Sequence, residues 1–241
     1  MTKPGALMAE PPSDEAQLMY AFAHDLRSCL RTMHTRVQLV QRTAAASMPE
    51  QENQWLSEAV AAGEHMSRLI GAMVNYYGVA PVPETMSLAL LLRGLRIDVK
   101  ETLDAAGADL SIMEGEPGIA VSRALSAVLR ELIANSCKFR RGDIRAEIRI
   151  TSQMRDKKNA EVRVEDNGPG VASEYLETMF KPFRRMHSGH EYPGFGLGLA
   201  LCRRMATANG GSIEAMAGPG GGLLVVVSLP AVHLDNRGDN D

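Results

Sequence analysis

The sequence predicts an α+β protein: an all-α helical hairpin that pairs into a dimeric four-helix bundle, followed by an α/β two-layer sandwich. Three observations carry that reading. Two consecutive stretches of about 30 residues place apolar side chains at spacings of three and four, the period of a helix face. From about residue 84 the pattern changes to short segments in which apolar and polar residues alternate, as in strands covered on one face. No internal repeat links the two regions.

Composition bounds the function. Of 241 residues, 45% are hydrophobic and 23% charged, which suits an ordinary folded protein with a sizeable core. The formal net charge is -3 with no basic block, so nucleic acid is not an expected partner. The longest apolar runs, such as Leu88 to Leu92, are about five residues, against the roughly 20 that cross a bilayer. No apolar segment follows Lys3, so no signal peptide and no membrane span are expected, and the expected compartment is cytoplasmic. Cys29, Cys137 and Cys202 lack metal-ligand or C-x-x-C spacing and read as reduced thiols.

Residues 1–13 carry prolines and little periodicity and read as a flexible lead. Ser13 then offers a helix cap, with Asp14 and Glu15 in the first turn. The stripe that follows is Leu18, Phe22, Leu26, Cys29/Leu30, Met33, Val37 and Val40. A second start at Ser47-Met48-Pro49-Glu50 has the form of a capping box. Its stripe runs Leu56, Ala59/Val60, Gly63, Met66, Leu69/Ile70, Met73 and Tyr77, and Gly78, Pro81 and Pro83 end it. Two such helices make a hairpin over 14–80 too thin to hide both stripes. A second copy of the hairpin would hide them, hence the expected homodimer, with docking on the carboxy-terminal region as the alternative.

The second region, 84–231, begins with a helix over Leu88 to Leu103 and the extended stretch "ADLSIME". A helix over Ser122 to Lys138 follows. "AEIRITS" and "AEVRVED" alternate across a turn at Asp156 to Asn159, as a hairpin does. A helix near Leu197 to Asn209 precedes strands at "GSIEAMA" and "GLLVVVSLP". Residues 232–241 read as a solvated tail.

Four stretches carry chemistry. In "FAHDLRSCL" His24 is two positions from both Phe22 and Leu26, roughly 200° from the apolar stripe at about 100° per residue, so it points outward. By itself it reads as a surface histidine. "RELIANSCKF" sets Glu131, Asn135 and Lys138 at i, i+4 and i+7 on one helix face. A carboxylate, an amide and an ammonium there suit a metal ion and phosphate oxygens, or simply a wet face. In "VEDNGPGV" Asp166 ends a strand before Gly168 and Gly170, a sequence equally suited to a plain turn. "GFGLGLAL" places Gly194, Gly196 and Gly198 just before a helix, where bare amides cradle phosphate.

The order and spacing of these pieces resemble the cytoplasmic core of bacterial two-component sensor histidine kinases, from about residue 14 to residue 230. "FAHDLRSCL" is similar to the family's phosphoacceptor box and "LIANSCKF" to its asparagine box. "EDNGPGV" and "GFGLGLAL" resemble its two glycine boxes, and "FKPF" its phenylalanine box. "ANGGSIEAMAGPGGG", with a strand ending at Leu229-Pro230, resembles its terminal segment.

The resemblance implies that the sandwich is of the GHKL ATPase type and that ATP and Mg2+ are the ligands. It implies that His24 takes the γ-phosphoryl group of ATP, with Asp25 orienting its ring. Asn135, together with Glu131, would hold Mg2+, and Lys138 would meet phosphate oxygens. Asp166 would accept a hydrogen bond from the adenine amino group, with Gly168 and Gly170 giving the base room. Residues 180 to 193 would form the ATP lid, with Lys181, Arg184 and Arg185 as phosphate contacts and Phe180 and Phe183 as anchors. Gly194, Gly196, Leu197 and Gly198 would line the phosphates. The implied partners are a second copy, a response-regulator receiver and, since about a dozen residues precede the first helix, a separate upstream sensor protein.

The chain departs from the family pattern in places. Cys29 stands where proline is usual. Ser28 occupies the place where threonine or asparagine serves phosphatase activity. Glu131 replaces the first asparagine of its box, and the terminal threonine is missing. A phosphotransfer relay, a dimeric scaffold and an ATPase of the gyrase and chaperone kind are the competing readings.

Overall fold

The structure, a computed structural model, describes residues 13–44, 47–113, 115, 117–142, 144–185 and 194–234. Residues 1–12 of the expected lead, 186–193 of the expected lid and 235–241 of the expected tail lie outside the described residues. The chain divides into two compact units, Met1–Gly78 and Val79–Asp241.

The first unit is a helical hairpin of α1 (Asp14–Ala44) and α2 (Glu50–Tyr77). Ser13 caps α1 as expected, its Oγ accepting the Ala16 N–H at 3.3 Å. The expected capping box at α2 does not form. Pro49 occupies the cap position, and the Ser47 hydroxyl instead donates back to the Ala44 carbonyl at 3.1 Å. The buried seam is short. Ala23, Ile70 and Val74 are buried, with Leu26 and Leu30 packed against them. Leu18, Phe22, Met33, Val40 and Met66 are exposed, although their spacing marks them as an apolar face.

The second unit is a mixed sheet with helices on one face. Its elements are β1 (Thr85–Ser87), α3 (Leu88–Asp98), α4 (Lys100–Ala106), β2 (Asp109–Met113), β3 (Ile119–Ser122) and α5 (Ala124–Lys138). There follow β4 (Glu147–Met154), β5 (Asn159–Asp166), α6 (Gly198–Ala208), β6 (Ser212–Ala217) and β7 (Leu223–His233). The strand order is β1-β3-β7-β5-β4-β2, with β6 also paired to β7. Among the described residues only β2 and β4 run parallel; the other pairs are antiparallel.

Register explains the core. Ile150 stands opposite Val164 and Val162 opposite Val227, so one face of the sheet is continuously apolar. Leu125, Leu129, Leu132 and Ile133 of α5 close over it with Leu92 and Leu95 of α3 and Cys202 of α6. Burying each such side chain contributes about 1.5–3 kcal/mol.

The helix expected over Leu88 to Leu103 is two helices, broken at Val99. That residue turns its buried side chain into the core, and its N–H serves the end of α3. The helix expected from Ser122 starts at Ala124 because Ser122 ends β3 and its Oγ accepts the Ala124 N–H at 3.2 Å. β1 and β3 were not expected, and β7 runs three residues past Pro230 to pair with β3.

Candidate nucleotide and phosphoacceptor sites

Asp166 is the last residue of β5, and strand alternation sets it on the same face as Val162 and Val164. It is thus a carboxylate on the covered side of the sheet. Its Oδ1 accepts the N–H groups of Gly168 at 2.9 Å and Leu223 at 3.0 Å. Its Oδ2 accepts the Ser136 hydroxyl at 2.9 Å. Ser136 belongs to the buried stripe of α5, four residues after Leu132.

Glycines bring these segments together. A Cβ on Gly168 would stand 2.8 Å from the Phe139 carbonyl oxygen, and one on Gly222 would overlap the Asp166 carbonyl. Gly170, at φ +72°, lies against the Gly221 carbonyl. Asn167 ties the same turn to β4, accepting the Glu147 N–H at 2.9 Å and donating to the Arg145 carbonyl at 2.9 Å.

On α5 the predicted face exists. Asn135 Nδ2 donates to Glu131 Oε1 at 3.4 Å. Burial pushes the Glu131 carboxyl up, and Asn135 and Lys138 only partly offset this. The carboxylate sits at the start of α6, where a Cβ on Gly198 would overlap Glu131 Oε1. Lys138 lies 4.6 Å over the Phe139 ring. Its ammonium would be 2.8 Å from a Cβ on Gly194. Burial, and then the neighbouring Arg185, lower its pKa, while Glu131 opposes them. Glu131, Asn135, Lys138, Gly194 and Gly198 are therefore one neighbourhood.

Phe180 and Phe183 part company. Phe180 is buried, with the Arg203 guanidinium 4.3 Å over its ring. Phe183, expected to be a second anchor, is half exposed. Its backbone does the holding, the N–H donating to the Gly196 carbonyl at 2.9 Å with φ at +62°. Lys181, Arg184 and Arg185 are exposed, and Leu197 is buried just before α6.

On the hairpin, His24 Nδ1 lies 3.1 Å from Asp25 Oδ1, and the two side chains are 83% and 84% exposed. With the carboxylate accepting, a neutral imidazole carries its proton on Nδ1 and keeps its lone pair on Nε2. Ser28 is exposed one turn later.

Ser136, Asn167, Leu223 and Arg203 escaped the sequence reading. For Ser136 a signal existed: a hydroxyl on the buried stripe of one element and a carboxylate on the covered face of another need each other.

Residues 120–233 match the family described as "Histidine kinase-, DNA gyrase B-, and HSP90-like ATPase". The chain is similar to the phytochrome-like protein Cph1 of Synechocystis sp., 28% identical over 228 residues covering 90% of this chain and 29% of that protein. It is also similar to the signal transduction histidine-protein kinase/phosphatase MprB of Mycolicibacterium smegmatis. That match is 27% identical over 249 residues, covering 96% of this chain and 49% of the relative. The chain thus spans less than half the length of these relatives. The crystal structure of full-length ShkA in complex with AMPPNP superposes with a TM-score of 0.65 at 20% identity, covering 90% of this chain and 46% of that one. At that identity the likeness shows the shared fold. The chain is a relative of bacterial histidine kinases, and its residues 120–233 form a domain of the histidine kinase-, DNA gyrase B- and HSP90-like ATPase family.

Proposed function

We propose that this chain is an ATP-dependent protein histidine kinase that autophosphorylates on His24 and passes the phosphoryl group to an aspartate of a response-regulator receiver. The observation that carries the reading is the exposed His24–Asp25 pair, in a chain that also holds an ATPase-family domain. His24 Nε2 attacks the γ-phosphorus; the bond to the bridging oxygen breaks and ADP leaves. Asp25 holds the Nδ1 proton and steadies the positive charge that the ring gains.

Phosphoryl transfer needs mainly positioning and charge neutralisation. Asp166 takes the adenine amino group, with Gly168 and Gly170 leaving room for the base. Lys138, Lys181, Arg184 and Arg185 supply cations, and the backbone from Gly194 to Gly198, Leu197 included, approaches the phosphates at the start of α6. Glu131 and Asn135 fit Mg2+. They are adjacent oxygen-bearing groups, and the half-buried carboxylate, its charge disfavoured by burial, gains from a cation. Held by these two residues, Mg2+ would supply charge neutralisation at the phosphates.

The exposed apolar face of the hairpin supports a homodimer, two hairpins closing a four-helix bundle. An exposed His24 suits a receiver that brings its aspartate to the helix beside Leu26 and Arg27. The expected setting is the cytoplasm; no helix among the described residues is long and apolar enough to cross a membrane.

The test is incubation with labelled Mg2+-ATP. The wild-type protein should acquire an acid-labile, alkali-stable label, the behaviour of a phosphoramidate. His24→Gln should lose it while still binding ATP. Full labelling of His24→Gln would remove His24 from the reaction.

A further inference from the structure

The Asp166 carboxylate is anchored from three separate parts of the chain. Oδ1 takes two backbone N–H groups, one from the turn after β5 and one from the start of β7. Oδ2 takes the Ser136 hydroxyl of α5. A carboxylate oxygen has two lone-pair directions. Those of Oδ1 are both used, whereas Oδ2 has one used by Ser136 and one left.

A carboxylate held at one oxygen alone can still pivot, because the torsion about its last bond is soft. The second anchor stops that. Ser136 has one hydroxyl proton and spends it on Oδ2, so its own oxygen has only acceptor capacity left. Both groups then offer acceptors and no donor to whatever approaches Oδ2. A purine with an amino group there satisfies the free lone pair. A purine with a carbonyl there sets lone pair against lone pair.

We propose that Ser136 is a positioning residue for base recognition: its hydroxyl fixes which Asp166 lone pair faces the nucleotide, and so sets the preference for an amino-bearing purine. This rests on the reading of Asp166 as the adenine acceptor and deepens it. Packing alone does not call for a hydroxyl here. Ser136 is only 8% exposed, and its neighbours on the stripe are Leu132, Ile133 and Cys137.

The experiment compares two probes on the full chain by calorimetry with Mg2+: ATP, and purine riboside triphosphate, which lacks the 6-amino group. Wild type should prefer ATP about tenfold or more, the effect of one hydrogen bond to a charged acceptor. In Ser136→Ala the preference should shrink to within about threefold, because ATP weakens while the analogue does not. Ser136→Cys keeps nearly the same volume with a weaker donor, should fall between, and decides the matter if the alanine variant does not fold. A preference unchanged in the variants overturns the role of Ser136 alone, even if both probes bind more weakly, since equal weakening marks a purely structural residue. A wild-type protein with no preference for ATP overturns the reading of Asp166, and that of Ser136 with it.

Discussion

Asp166→Asn and Asp166→Ala should fail in different ways, because the carboxylate joins three chain segments and, in the proposed reading, also faces the adenine amino group. In Asp166→Asn the amide oxygen can stay with the Gly168 and Leu223 N–H groups, 2.9 and 3.0 Å away in the wild type. The NH2 group then replaces Oδ2 and donates to the Ser136 oxygen. Three charged hydrogen bonds become neutral, a loss of roughly 1–3 kcal/mol. The ligand, however, now meets a donor where its own amino group needs an acceptor. Losing a hydrogen bond to a charged acceptor costs about 1.5–3 kcal/mol, so affinity should fall about tenfold to a hundredfold. In Asp166→Ala two backbone N–H groups lose their partner at about 1–3 kcal/mol each. Because Asp166 is only half-buried and water can reach the gap, the lower half of that range applies, about 2–4 kcal/mol. For a unit of this size that is a fall in melting temperature of roughly 5–15 °C. Calorimetric titration with AMPPNP and thermal melts by circular dichroism measure the two effects. An asparagine variant that binds within twofold of wild type, or an alanine variant that melts with it, would refute the reasoning.

Four further outcomes are expected. Phe22→Glu with Met66→Glu should give monomers in sedimentation while helix content is kept, since both side chains are exposed on the hairpin, whereas Leu26 packs inside it; a dimer that persists rejects the bundle. If Ser28 positions the water for receiver dephosphorylation, as its place one turn after His24 suggests, Ser28→Thr should speed dephosphorylation of a cognate phosphorylated receiver, because the added methyl restricts the hydroxyl's rotamer, and Ser28→Ala should abolish it with autophosphorylation intact; equal rates for Ser28→Ala and wild type remove the role. Burial raises the Glu131 pKa, so the carboxyl's contribution to stability is complete below its ordinary value of 4.5 and is lost as pH rises through the raised value. Glu131→Gln should therefore melt higher than wild type at neutral pH but not at acid pH, and a gap independent of pH contradicts that. In a His24→Gln background the same change should slow residual ATP hydrolysis, since a carboxylate of raised pKa is the better base; unchanged hydrolysis leaves Glu131 a metal-site or structural group.

Much of this molecule is local and therefore readable from the chain alone. The i, i+4, i+7 set of Glu131, Asn135 and Lys138 follows from helix geometry, and the hairpin of β4 and β5 follows from period-two alternation and the turn at Asp156 to Asn159. The outward direction of His24 is arithmetic on a helix of known period. β3 was missed because all four of its residues are buried, which leaves no alternation to detect. The kink at Val99 was missed because it answers to the core beneath it and not to its neighbours in sequence. Contacts between distant segments were beyond reach for the same reason. Ser136 and Asp166 meet 30 residues apart, and Asp166 and Leu223 meet 57 apart. Gly198 abuts Glu131 only because α6 begins beside the face of α5 that carries it. Periodicity tells which face of an element is covered. Strand order and register decide what covers it, and those are set by the summed burial of the whole sheet, to which no single motif contributes enough to be read by itself.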